Sequence, residues 1–187
     1  MRLGKIYTVT ALILKRTNVG ETDRLLTIFS KTHGKKRVLA KGVRTITSRR
    51  GPHLDALSEV KLTLHQGKTW DTVTEADTIF SGRLVYTSWM RMRAAYMTAD
   101  ILDHVVASDD PHPVVYDLAS KTFQTIGHGD EQRLEENMLY FCNKILFLLG
   151  FLTEEKFFLR LSDAIAHIER MSERKIRTAK FFSNLLQ

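Results

Sequence analysis

The hydrophobic pattern of this chain changes period once, at Ser81-Gly82, and that change excludes a single repeating architecture. Before it, apolar residues alternate with polar ones over short stretches separated by glycine-containing turns. The clearest case is 59–65, where Glu59, Lys61, Thr63 and His65 alternate with Val60, Leu62 and Leu64. A period of two puts successive side chains on opposite faces of a strand. Strands are expected at 7–15, 25–31, 36–41, 59–65 and 70–77, with tight turns at Thr32-His33-Gly34 and Gln66-Gly67-Lys68. Five strands in about 80 residues fit a closed barrel, because closure removes exposed edges. The candidate is a five-stranded OB-fold barrel, whose strand 2–3 face and loops after strands 1 and 4 bind oligonucleotides.

After Ser81-Gly82 the period is close to 3.6. Val85, Trp89, Met92, Tyr96, Ala99, Leu102 and Val106 form one stripe, ended by Ser108-Asp109-Asp110-Pro111, in which Asp109-Asp110, ahead of a proline, reads as a helix cap. A second helix is expected at 114–126, and a third at 134–148 with Gly150 as its stop. A fourth carries Phe158, Leu161, Ile165 and Ile168, opened by Thr153 with Glu154 and Glu155 in its first turn. A short basic and apolar helix is expected at 174–186. The fold class is therefore α+β: a barrel domain at 1–82 followed by a helical bundle domain at 83–187.

Charge separates the two parts as sharply as period does. The net charge is +7; residues 1–82 carry +8 and residues 83–187 carry −1. Within the first part, 31–50 holds eight cations and no Asp or Glu: Lys31, Lys35, Lys36, Arg37, Lys41, Arg44, Arg49 and Arg50. Uncompensated charge at this density repels itself and is most useful against a polyanion, phosphate backbones being the commonest. Strand 3 and its following loop would display the block, with Lys15, Arg16 and Arg24 added from strands 1 and 2. Phe29, His33, His65 and Trp70 are candidates for base stacking, against an ordinary packing role for each. A nucleic-acid surface that contacts phosphates binds without sequence choice. Two alternatives remain open at this point: an RNA-binding barrel, and a basic module that binds an acidic protein surface.

Other chemistries find little in the sequence. Gly67-Lys68-Thr69 resembles the end of a phosphate-binding loop, but the position that requires the first glycine is Leu62 and the flanks are strands. The seven histidines show no metal-ligand spacing, and the single cysteine, Cys142, allows neither an intrachain disulfide nor a cysteine zinc cluster. No metal, no cofactor and no enzymatic activity are expected. The apolar run 9–14 is too short for a signal-peptide core and 145–152 too short to span a bilayer, so a soluble, cytoplasmic protein is expected, and binding of DNA by the basic block would make it nucleoid-associated.

Several motifs carry a family resemblance. Gly20-Glu21-Thr22-Asp23-Arg24-Leu25-Leu26, then His33-Gly34-Lys35, then Ala40-Lys41-Gly42-Val43-Arg44 and Ser48-Arg49 resemble, in order and spacing, the N-terminal domain of the bacterial RecO family. Ala94-Ala95-Tyr96 and Leu148-Leu149-Gly150-Phe151 resemble its helical domain. The resemblance implies an OB-fold and a helical domain, binding of single- and double-stranded DNA, and annealing of complementary strands. It also implies partnership with RecR in loading RecA onto DNA coated by single-strand binding protein. The helical domain of such proteins can bind the acidic, Phe-ended tail of that coating protein; Arg174, Lys175, Arg177, Lys180, Phe181 and Phe182 are the candidates for that contact. Many family members carry a four-cysteine zinc module, so one cysteine implies a short form without it.

Overall fold

The computed structural model describes residues 5–153 and 156–178. Five strands, β1 (Ile6–Val19), β2 (Asp23–Ser30), β3 (Gly34–Ala40), β4 (Glu59–His65) and β5 (Asp71–Phe80), close in the order β1-β2-β3-β5-β4. All neighbours are antiparallel except β3 and β5, which run parallel and meet only at Val38↔Asp71 and Leu39↔Thr72. The OB-fold expectation holds. Inward positions supply the barrel core: Val9, Ala11, Ile13, Leu26, Ile28, Val38, Ala40, Val60, Leu62, Leu64, Val73 and Ala76. Val43 and Leu54, from the long β3–β4 loop, are buried in the same core and hold that loop down.

β1 is longer than its sequence pattern indicates and carries a bulge. Ile13 pairs with Ile28, but Lys15 pairs with Thr27, so Leu14 is the extra residue. Strict alternation from Ile13 would send Lys15 into the core. The bulge resets the alternation, placing Lys15 outside and Arg16 on the inner face opposite Leu26.

The chain divides into two compact units, Met1–Arg83 with Ala107–His112, and Leu84–Val106 with Pro113–Gln187. The segment expected to end the first helix thus belongs to the barrel unit. Ser108 bridges Lys35 in parallel, and the Asp109 N–H donates to the Lys35 carbonyl at 3.0 Å. Gly34 makes this docking possible: its φ is +65°, and a Cβ there would lie 2.3 Å from the Asp110 carbonyl oxygen. Asp109-Asp110 is therefore not a helix cap but a strap on β3.

In the second unit a 3-10 turn, Gly82–Thr87, precedes α1 (Trp89–Val105), which Ser88 caps by accepting from the Met90 N–H. Of the apolar stripe expected along this stretch, Val85, Ala99, Leu102 and Val106 are buried as expected, while Met92 and Tyr96 are only half-buried. Trp89 is exposed, and the buried face carries the small residues Ala94, Ala95, Thr98 and Ala99 beside Met97, Ile101 and Leu102. Small side chains let neighbouring helices approach closely, so burial followed size rather than the aromatic spacing. α2 (Pro113–His128) and α3 (Leu134–Leu148) match the expected spans. Arg91 caps α2, donating to the carbonyls of Ile126, Gly127 and Gly129 at 2.6–2.7 Å and pairing with Glu131 at 3.0 Å.

α4 is Leu161–Ser172, starting at Arg160 rather than Thr153. The Asn143 side chain pins the preceding non-helical segment by bonding both the N–H and the carbonyl of Phe158 at 2.9 Å. Glu154 and Glu155 lie outside the described residues. Residues 174–178 are not helical, and the rest of the expected last helix also lies outside them. Cys142 is fully buried and its thiol is pushed up to about 12 by that burial, which makes it a core residue rather than a reactive one. No helix among the described residues is long and apolar enough to cross a membrane.

Candidate nucleic-acid interface

The acid-free block is contiguous in sequence, but the barrel distributes it over a face and two ends. On the outer face of β1, β2 and β3, Lys15 stands opposite Thr27 and Thr27 opposite Arg37. Lys15 and Arg37 are exposed and have no ion-pair partner among the described residues. Strand spacing separates them by about 10 Å. This row exists only because of the bulge at Leu14.

One end of the barrel gathers the end of β1, the β1–β2 turn and the β3–β4 loop. Lys41, Arg44 and Arg49 of that loop are exposed. Its backbone is fixed independently of them. The Gly42 N–H donates to Asp23 Oδ1 at 2.8 Å, and the Arg44 N–H to the Thr22 carbonyl at 2.9 Å. The Gly42 and Thr22 hydrogen bonds, with Lys41 nearby, hold the Asp23 carboxyl below its ordinary value. Arg50 departs from expectation. It is half-buried and donates to the carbonyls of Val73 and Lys41, the latter at 2.8 Å, so it stitches the loop to β3 and β5. Arg44 also donates to the Gly20 carbonyl at 2.9 Å while its remaining guanidinium edge stays exposed.

Arg16 and Arg24 occupy inner-face positions at the same end. Arg16 is paired with Asp55 at 2.6 Å, and Arg83 takes the other oxygen of Asp55 at 2.9 Å. Sequence reading missed both Asp55 and Arg83. Arg83 stands next to the period change at Gly82 and continues the basic character of the barrel, a signal that could have found it. Asp55 offers no local signal, since its partners lie 39 and 28 residues away.

The opposite end of the barrel is neutralised. Lys36 lies 3.8 Å from Asp71 and 3.5 Å from Asp109. The Tyr7 hydroxyl donates to Asp71, and burial together with that carboxylate raises the Tyr7 pKa. The His33 ring packs on Tyr7 at 4.9 Å between centroids. Lys31 is exposed in the adjacent turn, and Lys35 is half-buried on β3 where the Asp109 strap docks. Of the aromatic candidates, Phe29 is fully buried and unavailable for stacking, and His33 is engaged by Tyr7. His65 is half-buried, and Trp70, in the turn before β5, is 40% exposed.

The candidate partner residues of the second unit divide similarly. Arg174 pairs with Asp103 at 3.8 Å and Lys175 with Glu169 at 3.0 Å, while Ile176 between their neighbours is buried. Arg177 is exposed; Lys180, Phe181 and Phe182 lie outside the described residues. No group of three or more potential ligands that could hold a metal ion occurs among the described residues.

Comparison with known proteins agrees with the geometry. Residues 1–81 match the family model described as recombination protein O N terminal. The DNA repair protein RecO of Desulfitobacterium hafniense strain DSM 10664 / DCB-2 is 34% identical over 147 residues, covering 79% of this chain and 52% of the relative. That of Cutibacterium acnes is 32% identical over 126 residues, covering 66% and 51%. That of Rubrobacter xylanophilus is 30% identical over 126 residues, covering 67% and 50%. The chain spans about half the length of the curated relatives it matches.

Proposed function

Given that this chain belongs to the RecO family of DNA repair and recombination proteins, we propose that its barrel binds single- and double-stranded DNA through phosphates, without sequence choice. The observation that carries this reading is the set of exposed cations with no ion-pair partner among the described residues, Lys15 and Arg37 on the outer face and Lys41, Arg44 and Arg49 on the neighbouring loop. Each phosphate neutralised releases counterions from the nucleic acid. Two strands held on one basic surface repel each other less, and that is how a protein without covalent chemistry speeds their annealing. In this reading the protein acts in the cytoplasm on DNA coated by single-strand binding protein, and with RecR it promotes RecA loading there. The helical unit serves partner contacts.

The deciding experiment is annealing of complementary oligonucleotides coated with single-strand binding protein, with and without this chain. Faster annealing is expected, with no turnover of nucleotide. Binding to single strands should weaken steeply with salt, with a logarithmic slope of about −4 for about six phosphate contacts. A flat salt response overturns the electrostatic mechanism. RNA of the same sequence, run beside the DNA, distinguishes a DNA protein from an RNA-binding barrel.

A further inference from the structure

Arg24 occupies an unusual position for a cation. It pairs with Asn18 on β1 and Ala40 on β3, on the same strand face as Leu26 and Ile28. Ala40, Leu26 and Ile28 all belong to the barrel core. The side chain therefore lies over the end of that core, and its Nε is shut off from solvent with no hydrogen-bond partner among the described residues. Buried donors in folded proteins are nearly always satisfied, and a charged one more strictly than a neutral one.

The surroundings supply further cations rather than an acceptor. Arg16 sits two pairings along β1, opposite Leu26, and shares Asp55 with Arg83. Arg44 is tethered to Gly20 in the turn that connects β1 to β2. The nearest carboxylate along the chain, Asp23, is occupied by the Gly42 N–H and the Thr22 hydroxyl. Burial, and then the like charges of Arg16 and Arg44, lower the pKa of Arg24, with Asp55 opposing them.

We propose that this mouth of the barrel is a seat for a single phosphate group, with Arg24 as its floor and Arg16 and Arg44 at its sides. The proposal rests on the DNA-binding reading and deepens it: the exposed row tracks a backbone, whereas the seat fixes one phosphate of it. Guanidinium groups suit the task because their planar N–H forks match phosphate oxygens in pairs. A phosphate oxygen would also give the buried Arg24 Nε its acceptor. The phosphate can belong to an internal phosphodiester or to a terminal phosphomonoester, and the chemistry of the seat is common to both.

The test uses the full chain and two readouts. Arginine Nε–H resonances are followed by NMR during titration with inorganic phosphate, and the Arg24 signal is expected to shift. In parallel, fluorescence anisotropy measures affinity for a circular single strand and for linear strands with and without a 5′-phosphate. Arg24→Met should weaken binding about tenfold and reduce the magnitude of the salt slope by about one. Arg24→Lys keeps the charge but lacks the Nε–H, and should recover only part of the affinity; circular dichroism checks that both variants fold. A loss equal on circular and linear strands assigns the seat to an internal phosphodiester. A loss confined to the 5′-phosphorylated strand assigns it to a terminal group. If both variants bind like the unchanged chain while Lys15→Glu with Arg37→Glu loses binding, the seat is wrong and the DNA reading stands. If the unchanged chain binds no strand yet its Arg24 signal moves with phosphate, the seat stands and the DNA reading falls.

Discussion

The two ends of the barrel receive cations from the same stretch of sequence and treat them oppositely. At one end Lys36 is bracketed by Asp71 and Asp109, with Tyr7 and His33 packed around them. At the other, Arg24 and Arg44 form no ion pair among the described residues, and Arg16 shares its one carboxylate with Arg83. The difference teaches that cation density along a chain measures only the capacity to bind an anion. Availability depends on which acids the fold delivers to each end, and here both acids at the neutral end arrive from remote positions.

The largest test of that contrast is charge reversal on the open side. Lys15→Glu, Arg37→Glu and Lys41→Glu together should lower DNA affinity about 100-fold or more near 0.1 M salt, with helical content unchanged by circular dichroism. Retention of affinity would move the interface elsewhere. The structural arginine of the loop comes next. Arg50→Met removes donors to two carbonyls and should cost about 1–3 kcal/mol in chemical denaturation, and an unchanged midpoint would return Arg50 to the list of free cations.

Gly34→Ala tests the strap at the neutral end. A Cβ at a φ of +65° and 2.3 Å from the Asp110 oxygen forces the 107–112 segment away. A cost of about 1–3 kcal/mol is expected from the backbone conformation alone. Hydrogen exchange at the Asp109 amide should accelerate, because its bond to Lys35 is lost.

A smaller effect attaches to pH. A carboxylate held below its unfolded value stabilises the fold above that value and loses the contribution as pH falls through the folded one. Protonating Asp23, from about pH 4 downward, should therefore release the Gly42 N–H, read as a change in its amide shift. Asp23→Asn should remove that titration. The smallest effect belongs to Lys36→Met, expected to change DNA affinity less than threefold because the charge is already answered by Asp71 and Asp109. A loss as large as at Lys15 would erase the distinction between the ends.

Much of the architecture was readable from local pattern. Alternation in 59–65 and the turn at Gln66-Gly67-Lys68 place β4 and its hairpin, because strand faces and tight turns are decided by residues close in sequence. Pattern failed where a distant partner overrode it. Thr153 with its two glutamates offered a good helix start, yet α4 begins at Leu161 behind an Asn143 side chain that pins Phe158 through both its N–H and its carbonyl. The apolar stripe from Val85 to Val106 failed at Trp89, which is exposed, and α1 buries Ala94, Ala95 and Thr98 beside the Ala99 and Leu102 of that stripe. Asp109-Asp110 read as a cap, and is a strap on β3 through Gly34.

The same division holds for the site. The sequence by itself determined that the excess charge lies in the barrel half, that strand 3 and its loop carry most of it, and that a polyanion is the fitting partner. These follow from composition and period, which need no knowledge of contacts. Only the tertiary structure decided that a bulge at Leu14 turns Lys15 outward beside Arg37, that Arg50 is a stitch, that Lys36 is neutralised, and that the Nε of half-buried Arg24 is shut off from solvent without an acceptor among the described residues. The reason is that pairing and desolvation act through space, and the groups that determine them here stand tens of residues apart along the chain.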